Sequence, residues 1–145
     1  FLGSTALLDT LAHDPPLAHV TTFGGHPVSC AAGRAAFRVL REEGLAERSE
    51  RVGTLFRDAL RRAFAGLDGV REIRGLGLFI GIEFDSGPRT AAFTSVCRER
   101  GVLLGWTLHH DHIVRLAPPL TTPEDVLDEA AAVMAAAWRE VLGRG

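Results

Sequence analysis

The sequence contains no lysine: all 16 of its basic residues are arginine. No side-chain primary amine is available for Schiff-base chemistry, which excludes lysine catalysis for this chain by itself. Cysteine is scarce. Cys30 and Cys97 lie far apart without a CxxC spacing, so nothing points to a disulfide framework and a reducing, cytoplasmic setting is expected. Basic charge is not concentrated either: 16 basic and 18 acidic residues leave a net charge of -2, and scattered arginines give no footprint for a nucleic-acid backbone. Long apolar runs are missing. Nothing approaches the roughly 18 apolar residues of a membrane span, so neither nucleic acid nor membrane is an expected partner. The chain opens on Phe1 rather than Met, and "FLGSTALLDTL" has no basic n-region or cleavage site; it reads as the middle of a folded element in a longer polypeptide.

What remains is ample for folding. With 46% hydrophobic and 23% charged residues in 145, the chain can form one core, or one small domain plus a piece of another. Val28 to Leu40 is rich in alanine, with Pro27 suited to a first helical turn and Gly44 to an end. In the next segment Leu45, Val52, Leu55, Phe56, Leu60 and Phe64 recur at helical steps between charges, which predicts an amphipathic helix closed by Gly66. "VREIRGLGLFIGIEF" then predicts a strand over 70–74, a turn over 75–77 and a second strand through Leu78, Ile80, Ile82 and Phe84; Gly77 and Gly81 suggest a close backbone approach or a bulge. Thr90 to Arg100 reads as a helix stopped by Gly101. "VLLGW" and "HIVRLA" read as a hairpin around a polar tip, and a last helix begins with Thr122 as N-cap and Pro123 at its first position. The expected fold class is α/β, with helices covering a small, mostly antiparallel sheet.

Two stretches could carry chemistry. "HVTTFGGHPVSCAAG" offers two hydroxyls at Thr21 and Thr22, two glycines without side-chain bulk, and a helix start, a combination that suits a phosphate. On these features alone an ordinary capped turn takes precedence. In "IVRLAPPL", alternation puts Arg115 on the opposite face from Val114, at the end of a strand fixed by two prolines, where a guanidinium fork suits a carboxylate. A surface ion pair explains that spacing equally well. By the same logic Arg74 reads as structural. His109, His110 and His112 sit at a hairpin tip where adjacent side chains diverge, so a solvated turn is expected rather than a metal site. His26 helps define its loop, Cys30 reads as a small buried residue rather than a nucleophile, and Met134 with Trp138 reads as core. Gly75 and Gly77 open no helix with a GxGxxG pattern, so no dinucleotide site is expected.

In order and spacing, "TTFGGHPVSCAAGRAAFRVL", "VREIRGLGLFIGIEF", "RGVLLG" and "IVRLAPPLTTPEDVLDEA" together resemble the C-terminal part of class III aminotransferases. These are pyridoxal-phosphate enzymes of fold type I that include ornithine, acetylornithine and 4-aminobutyrate aminotransferases. The resemblance spans nearly the whole chain and reverses the precedence given above to the capped turn. It implies pyridoxal 5'-phosphate as cofactor, amino acid and 2-oxo acid substrates, and a homodimer in which Thr22, with Thr21 beside it, reaches the phosphate of the partner subunit. It implies a substrate-carboxylate role for Arg115 and no cofactor role for Arg74. His26 stands where many members have Asn. The family's Schiff-base lysine lies upstream of the matching region, so the resemblance assigns no catalytic residue to this chain and implies that the chain alone is inactive. Residues 1–44 then correspond to the end of the large cofactor domain with a connecting helix, and 45–145 to the small C-terminal domain. Two rivals remain at this point: a self-contained α+β ligand-binding or regulatory module, and a non-catalytic aminotransferase-like scaffold.

Overall fold

Apolar spacing and glycine placement account for most of the element boundaries. The computed structural model describes residues 3–12, 21–106 and 109–144, and the chain divides into two compact units, Phe1–Val39 and Leu40–Gly145. In the first, the short helix α1 (Thr5–Asp9) is capped by Ser4, whose hydroxyl accepts from the Leu7 N–H. Helix α2 (Pro27–Glu42) begins at the proline, as expected, and extends into the second unit. No residue of α1 or α2 is buried. Cys30 is accordingly exposed, against the expectation of a small buried residue; the segment has the composition of a packed helix, but none of the described residues of its own unit covers it.

The second unit continues through α3 (Leu45–Ala63), β1 (Val70–Leu76), β2 (Phe79–Phe84), α4 (Gly87–Glu99), β3 (Gly105–Trp106), β4 (Ile113–Leu116) and α5 (Glu124–Gly143). The strands form one antiparallel sheet in the order β1-β2-β4-β3, so the mixed α/β class with a small antiparallel sheet holds. Several boundaries differ from the sequence reading. The hairpin turn lies at Gly77 and Leu78, leaving Gly75 and Leu76 in β1. Gly77 has φ +53 and passes close to Gly53 of α3, where any side chain at 53 would collide with its backbone. Close approach is thus correct for Gly77; a Cβ at Gly81 would make only an ordinary contact with Ile113, and the register shift falls between Val70 and Glu72. Helix α4 starts three residues early because the Ser86 hydroxyl accepts from the Arg89 N–H and caps it. Its end is a Schellman turn, with Val102 N–H bonded to the Cys97 carbonyl and Gly101 at φ +85. Pro123, not Thr122, is the N-cap of α5; the Thr122 hydroxyl donates instead to the Pro119 carbonyl, tightening the turn after the double proline.

One face of the sheet is the core. Ile73, Ile80, Ile82, Phe84, Val114 and Leu116 are buried beneath α3 and α4, and α5 packs on both helices. Phe84 and Trp138 lie with ring centroids 4.2 Å apart, and Phe64 and Phe93 meet them edge-on or tilted. The indole N–H of Trp138 donates to the Asp68 carbonyl at 2.8 Å, so the largest core residue is buried without an unsatisfied donor. Met134 is buried beside it, as expected. Leu55 is the exception on α3, at 49% exposure. Arginines tie the layers together from outside: Arg48 donates to the carbonyls of Leu120 and Thr122, Arg57 to that of Gly77, and Arg61 to that of Ile73. Arg115 stands on the opposite face of the sheet, against which none of the described helices of the second unit packs.

Candidate functional site

In the first unit, Thr21 to Pro27 forms a compact turn. The Gly24 N–H bonds to the Thr21 carbonyl at 3.4 Å, the His26 N–H to the Phe23 carbonyl at 3.1 Å, and the His26 carbonyl accepts from Cys30 as α2 begins. Gly25 needs its missing side chain for conformation, with φ +79. Gly24 needs it for space, since a Cβ there would stand 2.8 Å from the Thr21 methyl. These bonds spend few donors. Among the described residues, the N–H groups of Thr22, Phe23 and Gly25 and the hydroxyls of Thr21 and Thr22 have no partner, and the whole turn is exposed. Exposed hydroxyls, unused N–H groups and a helix start are a donor set that fits a phosphate dianion.

In the second unit, β4 alternates as expected: Val114 and Leu116 are buried and Arg115 is exposed. Arg115 lies opposite Gly81 of β2 and Gly105 of β3, and Gly81 lies opposite Arg74 of β1, so one cross-strand row reads Arg74, Gly81, Arg115, Gly105. The two arginines differ sharply in their surroundings. Arg74 bonds to Glu72 at 2.6 Å and to Glu83 at 2.7 Å, and these carboxylates, Glu83 foremost, raise its pKa above the usual value. Its structural role is as expected. Arg115 has no hydrogen-bond or ion-pair partner among the described residues. A free guanidinium on a strand flanked by two glycines is available to an incoming anion.

A cavity of about 320 Å³ lies over this end of the sheet, lined by Phe79, Gly105, Trp106, His109, His110, Ile113 and Arg115. Its walls are mainly aromatic and aliphatic, and Arg115 is the one residue lining it whose charge is permanent. The Trp106 indole N–H donates to the Asp111 carbonyl at 2.9 Å, which fixes the ring across the hairpin. His109 and His110 are exposed at the tip, and His112 Nδ1 lies 3.1 Å from Asp111. Among the described residues no group of three or more His, Cys, Asp or Glu is arranged to hold a metal ion. Cys97 is buried against the core, and burial pushes its thiol up to about 12, which removes it as a nucleophile. The sequence reading overlooked Gly105 and the wall formed by Phe79, Trp106 and Ile113. A glycine inside a short strand was the available signal.

A family model for "Aminotransferase class-III" matches residues 2–138. The acetylornithine aminotransferase of Methanothermobacter thermautotrophicus is 41% identical over 116 residues, which cover 80% of this chain and 29% of that protein. The ornithine aminotransferase of Exiguobacterium is 43% identical over 115 residues, covering 79% and 27%. Among solved structures, the ornithine aminotransferase of Toxoplasma gondii superposes with a TM-score of 0.81 at 33% identity, covering 99% of this chain and 33% of that one. The chain thus spans under a third of the length of these relatives. With a family model running across nearly all of its length, the chain belongs to the class III aminotransferases.

Proposed function

We propose that this chain is the part of a pyridoxal-phosphate-dependent transaminase that grips the cofactor phosphate and one substrate carboxylate. The intact enzyme moves an amino group from an amino acid or amine to a 2-oxo acid. Residues 1–44 end its large cofactor domain, and 45–145 form its small domain. The observation that carries this reading is the Thr21–Pro27 turn, in which two hydroxyls and three backbone N–H groups at the start of α2 have no partner among the described residues. Thr22 donates to the phosphate of the partner subunit's cofactor, with Thr21 beside it, so the enzyme works as a homodimer. Its name-bearing relatives are ornithine and acetylornithine aminotransferases, which makes a basic amino acid or its acylated form the first donor to assay.

When bound, pyridoxal phosphate supplies the electron sink for breaking a bond at the amino-bearing carbon. This chain's own residues bind and orient. The turn holds the phosphate, and Arg115 holds a carboxylate in bidentate fashion. The chain has no lysine, so the amine that anchors the cofactor and carries protons comes from outside this sequence. Two free cysteines, one exposed and one buried, suit a cytoplasmic enzyme.

The test is Thr22→Ala in the complete enzyme. Losing one hydrogen bond to a charged phosphate should weaken cofactor retention about tenfold or more, with the thermal midpoint of the cofactor-free protein unchanged. Dialysis followed by absorbance of the retained cofactor reads the effect. Retention equal to wild type would remove Thr22 from the phosphate site.

A further inference from the structure

Gly105 is not required by its backbone. It is absent from the positive-φ glycines, and its partner on β4 is Arg115, so an L-residue could occupy the same conformation. The missing side chain is instead a matter of space. A Cβ at 105 would stand 3.1 Å from Nε and 3.2 Å from Nη2 of Arg115, and 3.1 Å from the Arg115 carbonyl oxygen, all inside the usual separation of about 3.5–4.0 Å for non-bonded carbon contacts. The guanidinium packs against the space a residue-105 side chain would enter, close enough that it would have to give by a few tenths of an ångström. Gly81, on the other flank of Arg115, contrasts with this: a Cβ there meets first the Ile113 Cγ2 methyl, at 3.9 Å, and would displace nothing.

From this asymmetry we infer that Gly105 is a positioning residue for the substrate carboxylate: its empty side-chain space seats the Arg115 guanidinium over β3, at the wall of the cavity formed with Trp106 and Ile113. A side chain at 105 presses the fork a few tenths of an ångström toward Gly81, the flank with room. The fork is then misaligned for a carboxylate bound in that cavity. Because the guanidinium is planar and binds through two parallel N–H groups, a displacement that spoils one bond costs the bidentate geometry. This inference rests on the reading of Arg115 as a carboxylate ligand, and the experiment separates the two.

Binding of glutarate, a simple dicarboxylate without an amino or keto group, is measured by calorimetry on the complete, cofactor-loaded enzyme. Arg115→Gln should weaken it about 100-fold and Gly105→Ala about tenfold, while Gly81→Ala changes it less than about twofold. The decisive arm is a double-mutant cycle. In an Arg115→Lys background, whose slim ammonium does not need the space over β3, Gly105→Ala should cost less than about twofold. If Arg115→Gln leaves glutarate binding intact, the carboxylate reading itself falls. If Arg115→Gln weakens binding but Gly105→Ala does not, the carboxylate reading stands and the positioning role of Gly105 is overturned. An equal loss from Gly105→Ala in both backgrounds also overturns it, because the substitution would then be acting on the strand and not on the guanidinium.

Discussion

Arg74 and Arg115 occupy matching places and have opposite fates. Each stands on the open face of the same sheet, and each is opposite Gly81. Arg74 is saturated because its strand neighbourhood supplies acid: Glu72 is two residues away on β1, and Glu83 lies on β2 in the adjacent row. Around Arg115 the place of Glu72 is taken by Ile113, the flanks are Gly81 and Gly105, and Glu83, which lies opposite Ile113, has its carboxylate turned to Arg74. The difference shows that role follows the supply of partners and not the residue type. A guanidinium with two carboxylates within 3 Å is part of the scaffold; one among glycines and apolar walls retains its capacity to bind an anion.

That contrast breaks most visibly in activity. In the complete enzyme, Arg115→Gln should lower kcat/KM for the carboxylate substrate by about 100-fold, the loss of a bidentate charge-assisted contact, with little change in thermal midpoint because the side chain is exposed. Unchanged kinetics would make Arg115 no different from Arg74. The reciprocal variant, Arg74→Ala, should leave kcat/KM within about twofold and lower the thermal midpoint by less than about 4 °C, as expected for a surface ion pair. A large loss of activity from Arg74→Ala would place the Glu72 and Glu83 cluster in the site and erase the contrast.

The contrast was half visible in the sequence. Alternation in "IVRL" and "FIGIEF" placed Val114, Ile80, Ile82 and Phe84 inside and Arg115 outside, because a period of two leaves a strand little choice when one face is buried. The order of helices and strands followed equally from spacing and glycines. Boundaries were less legible. Ser86 captured the start of α4, and Thr122 turned back to Pro119, because short polar side chains choose among nearby backbone groups that only the fold brings within reach. The seat of Arg115 over Gly105 was hidden for a similar reason. It depends on pairing between β3 and β4, and nothing in either segment announces which residue will face which. Cys30 and the rest of α2 mark a different limit: composition reports that a helix is made to be packed, without reporting what packs on it.

The smallest effect concerns acid. Hydrogen bonding to Arg74 holds the Glu83 carboxyl below the usual carboxylate range, and Arg100 does the same for Glu140. A carboxylate depressed in the folded state contributes stability that is fully present above its unfolded pKa, near 4.3 for Glu, and is lost as pH falls through the lower folded value. Stability of the wild-type chain should therefore decline as pH drops below about 4.3. Glu83→Gln should flatten this acid limb slightly. The variant and wild type should differ most at neutral pH and converge once Glu83 of the wild type is protonated, because the protonated carboxyl and the amide are similar in charge and shape. Chemical denaturation across that range reads the slope. An unaltered acid limb would mean that the Arg74 pair is as weakly coupled to folding as an isolated surface contact, and that Arg74 is held in place mainly by Glu72.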